Sequence, residues 1–438
     1  MGREKVAVVS LGCAKNLINS EQMMYLLLKA GFRVTGKANN ADVVIINTCG
    51  FIESAKTEAI ETILEFCQAK DGGSIKKIIV TGCLAERYKN EITSEIPEVD
   101  AVVGVGSFDD IVSAVKAVLS GCESLKMFGD INSAVSDTKR VITTSRVWAY
   151  MKIAEGCDNR CAFCVIPDIR GQYRSRPVES IVDETLELTS DGIKEIILVA
   201  QDVTRYGLDL YGKRRLKDLL TALCAIDGVQ WIRLHYLYPD EIDNDLINVV
   251  AGNDKILKYL DVPIQHINNR ILSRMRRRGS GDEVRALIKR LRERIPGVVL
   301  RTSIITGLPG EGEREFEELC AFLKEARIER VGVFQFSPEE GTDAAVMDRP
   351  DGEAAERRAG IISEIQRDIF DEFNWSRIGD ITPVLVEGRE EGRYYGRSFA
   401  ESPEIDGYIR VKGAGIATDS IIDVHITDVE DGELIGEV

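Results

Sequence analysis

The chain of 438 residues is too long for one ordinary compact domain, and 44% hydrophobic with 29% charged residues reads as a soluble globular protein of two or three domains. Its 56 basic and 72 acidic residues leave a formal net charge of -16, which argues against wholesale nucleic-acid binding and for a basic or neutral partner. Ten cysteines without a signal-like N-terminal run, and no apolar stretch near the roughly 18 residues of a membrane span, predict a reducing, cytoplasmic setting in which clustered thiols hold metal. Gly2 heads no myristoylation motif, since Val6 stands where Ser or Thr is wanted.

Three apolar strands open the chain and end alike: VAVVSLGC at Cys13, VVIINTC at Cys49 and IIVTGC at Cys83. Helical stretches follow them, among them Asn16 to Lys29 and Ser54 to Ala69, so the region alternates β and α, and such alternation predicts a parallel sheet. Ligands of open parallel sheets bind along the carboxyl edge of the strands. Three cysteines at three carboxyl ends therefore predict one three-thiolate site. A short strand at AVVGVG and a helix from Asp109 to Leu119 complete a domain of residues 1–122. Residues 123–145 have no clear period and read as a linker.

The core, 146–372, begins with the strand VWAYMKIAEG and the loop GCDNRCAFC, which sets Cys157, Cys161 and Cys164 at CxxxCxxC spacing. An iron–sulfur cluster normally takes four thiolates, so three leave one iron open. A closed zinc site also wants four ligands, and the only histidines are His235, His266 and His425. Strands and amphipathic helices then alternate through KEIILVAQD, QWIRLHYLYP, KYLDVPIQH, VVLRTSIITGLPGE and RVGVFQFSPEEGT. Six βα units are fewer than the eight of a closed barrel, and predict a partial, open-sided (βα)6 barrel with its site at the strand carboxyl ends. Cys67, Cys122, Cys224 and Cys320 read as small buried hydrophobes. A polar helix, Gly352 to Phe373, leads to short strands separated by Gly and Pro turns, a small all-β barrel over 373–438. From Trp375 onward this part has six basic and fourteen acidic residues.

CxxxCxxC with Phe163 before its last Cys, at the mouth of a partial barrel, resembles the radical S-adenosylmethionine superfamily. Together with LGCAKN, NTCGFIESA, TGCLAERY and a terminal barrel of the TRAM type, the whole chain is similar to the methylthiotransferases. The resemblance implies two 4Fe-4S clusters, one on Cys157, Cys161 and Cys164 and one on Cys13, Cys49 and Cys83. It also implies two molecules of S-adenosylmethionine, a methyl donor and a source of the 5′-deoxyadenosyl radical. Phe163 is then expected against the adenine, and Gln201 and Asp202 match a position that holds the amino group of S-adenosylmethionine, with a solvated turn as the other reading. Gly307 would lie against the adenine or form an ordinary turn before Pro309. His266 would face the barrel mouth or be structural, and Arg274 to Arg278 would be a phosphate patch or a solvated helix end. No general acid or base is assigned.

Within that family the substrate is either a tRNA adenosine or an aspartate of ribosomal protein uS12. SLGCAKNLINSE, WIRLHYLYP, DVPIQH and SPEEGT, from Ser337 to Thr342, resemble the aspartate-modifying branch. The acidic terminal barrel favours a basic protein over a polyanion, because phosphate neutralisation by Lys and Arg dominates nucleic-acid affinity. The expected partners are uS12, free or on the ribosome, a reducing electron donor and a source of sulfide, with no membrane. An iron–sulfur carrier without transferase activity is the reading from another class.

Overall fold

The computed structural model describes residues 4–438, so Gly2 lies outside the described residues. The N-terminal strands β1 (Lys5–Ser10), β2 (Arg33–Val34), β3 (Val43–Thr48), β4 (Lys77–Gly82), β5 (Ala101–Val103) and β6 (Leu125–Met127) form a parallel sheet in the order β2-β1-β3-β4-β5-β6. β3 is buried at every position, as a central strand covered on both faces must be. Val44 and Ile46 pack toward α2 (Glu53–Asp71). Val43 and Ile45 pack toward α1 (Ala14–Lys29) and α5 (Ile111–Leu119). The short helices α3 (Cys83–Arg87) and α4 (Glu91–Glu95) lie between β4 and β5.

In the core, β7 (Trp148–Lys152), β10 (Glu195–Val199), β11 (Trp231–Leu234), β12 (Ile256–Asp261), β13 (Val299–Thr306) and β14 (Arg330–Gln335) pair in chain order, all parallel, with β7 and β14 at opposite edges. The barrel is therefore partial and open, as its six units predict. Helices α7 (Val178–Ser190), α9 (Leu216–Cys224), α10 (Asn244–Gly252), α12 (Gly281–Arg294), α13 (Glu313–Ala326) and α14 (Gly352–Ser376) cover it through one apolar core. The short pair β8 (Ala154–Glu155) and β9 (Arg174–Ser175) brackets the cysteine loop and α6 (Ile166–Arg170), while α8 (Leu208–Tyr211) and α11 (Asn269–Arg274) sit in later crossovers.

The last strands, β15 (Ile381–Glu390), β16 (Arg393–Arg397), β17 (Ile409–Lys412), β18 (Ile421–Glu430) and β19 (Glu433–Glu437), close a barrel in the order β15-β16-β17-β19-β18. The segment between β16 and β17 leaves that barrel and plugs the larger one. Arg397 bonds Glu195 at 2.7 Å, Arg233 donates to the Phe399 carbonyl, and Ser402 Oγ meets His235 Nε2 at 2.9 Å. Tyr150 and Tyr259 donate to Glu404 and Asp406.

Four details differ from the sequence reading. β2 is too short to carry a pattern. Leu125–Met127, within the stretch read as linker, adds to β5 as an edge strand. Cys122 is exposed beyond the end of α5, and Cys224 and Cys320 are only half-buried, because a small residue within a helical pattern need not face the core. α14 continues through Trp375, which is exposed.

Candidate functional site

β1, β3 and β4 are neighbours, so their exits bring Cys13, Cys49 and Cys83 to one edge of the sheet. The chain at Gly12, with φ of +92°, runs so close to Cys49 that an added Cβ would lie 2.8 Å from the Cys49 Cβ. Cys13 precedes the first turn of α1. Although the residue is solvent-exposed, the protein packed around it pushes its thiol up, but Lys15, Arg170 and the backbone amides of Lys15 and Asn16 outweigh this and hold it below the ordinary range. Burial dominates at Cys49, pushed up to about 12, and raises Cys83 against the pull of Arg170. Among the described residues no three His, Cys, Asp or Glu side chains are arranged to hold a single metal ion. A cluster differs in that each thiolate takes its own iron.

The second triplet lies on the loop after β8. Gly156 takes φ of +82°, and a Cβ there would fall 2.0 Å from the Gln172 carbonyl oxygen, so only glycine lets the loop turn. The Cys157 amide donates to Gly171, Ala162 to Met275, and Cys164 to Cys161. Burial pushes Cys157 up to about 11 and Cys164 higher. The Tyr238 hydroxyl and the Arg277 guanidinium stand 4.0 and 3.8 Å from Cys161 Sγ. Buried thiols that remain protonated without a cation, with donors aimed at sulfur, fit an iron–sulfur centre.

Between the triplets stands Arg170, fully buried at the end of α6. It donates to Cys83 Sγ at 3.2 Å, to Asn19 at 3.1 Å and to Asn16, all in the N-terminal domain, and pairs with Glu155 of β8 at 3.1 Å. Glu155 also accepts from Lys152 and from Gln201. Burial raises its carboxyl, but Arg170 and Lys152 prevail and hold it well below the usual carboxylate range. Glu339 of SPEEGT is a second tie, 2.6 Å from Arg87 and 3.1 Å from Lys56. Sequence reasoning missed Arg170, Glu155 and Lys15. Lys15 lay in LGCAKN and Glu155 at the end of the quoted strand VWAYMKIAEG, but a lone Lys, a lone Glu before Gly156 and a lone Arg in IPDIRG carry no spacing signal.

Gln201 donates to Glu155, while its Oε1 is buried without a partner. Asp202 accepts from Asn159 of the cysteine loop and from Thr204, with its carboxyl raised by burial. Phe163 packs with Ala162, Met275 and Leu308. Gly307 packs on Ala355, where a Cβ would come within 2.5 Å. His266 is fully buried, its Nδ1 accepting from Asn268 and its Nε2 lying 3.4 Å from Glu311. Within Arg274 to Arg278, Arg276 pairs with Asp343 and Arg278 with Glu241, so the run forms no free phosphate patch.

An open six-stranded barrel with a three-thiol loop at its mouth defines a radical S-adenosylmethionine enzyme, and the family model "Radical SAM superfamily" matches residues 151–323. "Uncharacterized protein family UPF0004" matches 5–104 and "TRAM domain" 378–438. Over 438 residues the chain is 46% identical to the ribosomal protein uS12 methylthiotransferase RimO of Lachnoclostridium phytofermentans, covering 99% of each. It is 45% identical to that of Acetivibrio thermocellus, covering 100% of this chain and 98% of the relative. The chain belongs to the uS12 methylthiotransferase (RimO) family of radical S-adenosylmethionine enzymes. A 4Fe-4S cluster and S-adenosylmethionine come with that membership. Among solved structures, the radical S-adenosylmethionine methyltransferase TsrM from Kitasatospora setae covers 89% of this chain and 79% of its own, with a TM-score of 0.60 at 14% identity, and shares the fold alone.

Proposed function

We propose that this protein replaces a β-hydrogen of an aspartate in ribosomal protein uS12 by a methylthio group, in the cytoplasm. The proposed units are the N-terminal domain 1–122, linker 123–145, radical core 146–372 and terminal barrel 373–438. Cys157, Cys161 and Cys164 hold one 4Fe-4S cluster and Cys13, Cys49 and Cys83 a second. When bound, the first with S-adenosylmethionine supplies a carbon radical, and the second supplies the site for the methylated sulfur.

The chain's own residues prepare this chemistry. Lys15, Arg170 and the α1 amides favour the thiolate of Cys13, Arg170 donates to the Cys83 sulfur, and Arg277 and Tyr238 aim donors at the Cys161 sulfur. The orphan Oε1 of Gln201 is an acceptor fit for the amino group of S-adenosylmethionine, and Phe163 offers a half-buried ring to its adenine. Asp202 acts one step back, by holding Asn159 of the cysteine loop, and Gly307 contributes backbone only. The plugging segment fixes the barrel strands through Arg397, Ser402, Glu404 and Asp406. The acidic terminal barrel attracts the basic uS12 and repels nucleic acid. A low-potential electron donor and a source of inorganic sulfide are the further partners, and no membrane is required.

The observation that supports this reading is the Arg170 bridge, which ties the helix following the core cysteine loop to Cys83 of the N-terminal triplet. The test is to incubate reconstituted enzyme with uS12 and with tRNA and look by mass spectrometry for the methylthio gain. Gain on uS12 alone supports the reading. Gain on tRNA alone, or no release of 5′-deoxyadenosine by fully loaded enzyme, overturns it.

A further inference from the structure

Nine Lys and Arg side chains are buried among the described residues, and eight of them have a carboxylate partner. The ninth is Lys15. Its ammonium lies 3.5 Å from the centroid of the Tyr236 ring, with no carboxylate of the described residues within ion-pair distance. A cation–π contact contributes up to about 2 kcal/mol, and burying an unpaired charge costs several. The fold thus retains a buried cation with no carboxylate partner among the described residues, beside the Cys13 sulfur.

Its position gives that cation a use. Lys15 lies two residues after Cys13, in the N-terminal domain, while Tyr236 leaves β11 at the carboxyl edge of the core. Tyr236 takes φ of +60°, a backbone state rare for a bulky residue, pinned by its amide bond to Asp261 at 3.1 Å. Two residues on, the Tyr238 hydroxyl stands 4.0 Å from Cys161 Sγ. One short segment, HYLYP, therefore reaches from the Lys15 ammonium to the core cysteine loop. Two residues of extended chain span about 7 Å. An anion paired with Lys15 would sit between the two triplets.

We infer that Lys15, lying on Tyr236, binds the side-chain carboxylate of the residue to be modified and so selects an acidic side chain. A chain of net charge -16 needs such a cation where a carboxylate must enter. The inference rests on the function proposed above. A free ammonium has three donors and can hold a carboxylate in several rotations, and the Tyr236 ring covers one side of it.

Binding of a synthetic peptide of the uS12 target segment, with Asp or with Asn at the modified position, to enzyme with both clusters and S-adenosylmethionine tests this by fluorescence anisotropy. The wild type is expected to prefer the Asp peptide by about tenfold or more, as a charge-assisted hydrogen bond gives. K15M, compared at equal iron loading, should bind both peptides alike, and K15R should recover part of the preference. A K15M enzyme that keeps the preference overturns the inference. So does one whose cluster absorption or reduction potential shifts while the preference remains, since Lys15 would then be the counter-ion of the N-terminal thiolates. A wild type that binds neither peptide but methylthiolates tRNA overturns the functional reading, and this inference with it.

Discussion

The Arg170 guanidinium donates to Cys83 Sγ across 3.2 Å, joining a helix that ends the core cysteine loop to the exit of a strand in another domain. The same side chain neutralises Glu155. One residue thus orients a thiolate and balances a buried carboxylate.

Arg170→Met should therefore do two kinds of harm. Loss of a buried pair that leaves its partner charged costs about 3–5 kcal/mol, lessened here because Lys152 still holds Glu155 at 2.9 Å. Thermal unfolding should show the lower stability. Iron analysis of a protein whose core cysteines are replaced should show weaker retention at the N-terminal site, with Arg170→Lys intermediate.

Glu401 predicts a pH dependence. Burial opposes its charge, but Arg377 and Arg330 prevail and lower its carboxyl from 4.5 to about 2. The depressed value means that its contribution is complete above about pH 4.5 and fades as pH falls toward 2. The full effect is on the order of 3 kcal/mol. Denaturant midpoints measured between pH 6 and 3 should fall less steeply for Glu401→Gln, which is already less stable at pH 6.

Removal of residues 377–438 should not leave a working core. Glu195 keeps Arg233 but loses Arg397, and His235 loses Ser402. Buried polar groups left unpaired cost about 1–3 kcal/mol each, more when charged. The truncated chain should be insoluble or lack a cooperative melt by calorimetry, even with iron supplied during expression.

Charge on the terminal barrel should set the rate of substrate capture. Glu391, Asp419 and Asp423 are exposed and without ion-pair partners among the described residues. Replacing all three by Lys should slow association with uS12 several-fold at low salt and flatten its salt dependence, with little change in dissociation. Stopped-flow fluorescence over a salt series would measure both.

The sequence made the outer plan legible because it is periodic. Strand-end cysteines, six βα units and Gly-punctuated short strands each leave a local pattern, and each element is found where that pattern lies. The connections between domains leave none. Arg170, Glu155 and Lys15 each act through a partner far away in sequence. Glu339 stood in a motif read as a mark of substrate, whereas its carboxylate ties the core to Arg87 and Lys56. Cys122 shows the opposite error: a helical period suggested burial, but the helix ends three residues earlier.

The segment from Arg397 to Asp406 has a consequence for the order in which the chain is made. Its contacts with the first four strands of the core and the turn after β11 close pairings 147 to 254 residues long. Domains generally fold as units while synthesis proceeds. Here the central barrel must wait, its buried Glu195 and Arg233 half-matched, until the segment after β16 has been made. Metal loading that requires a finished barrel is thereby deferred until that segment has docked, and a chain that stops before it keeps Glu195 without Arg397 and His235 without Ser402.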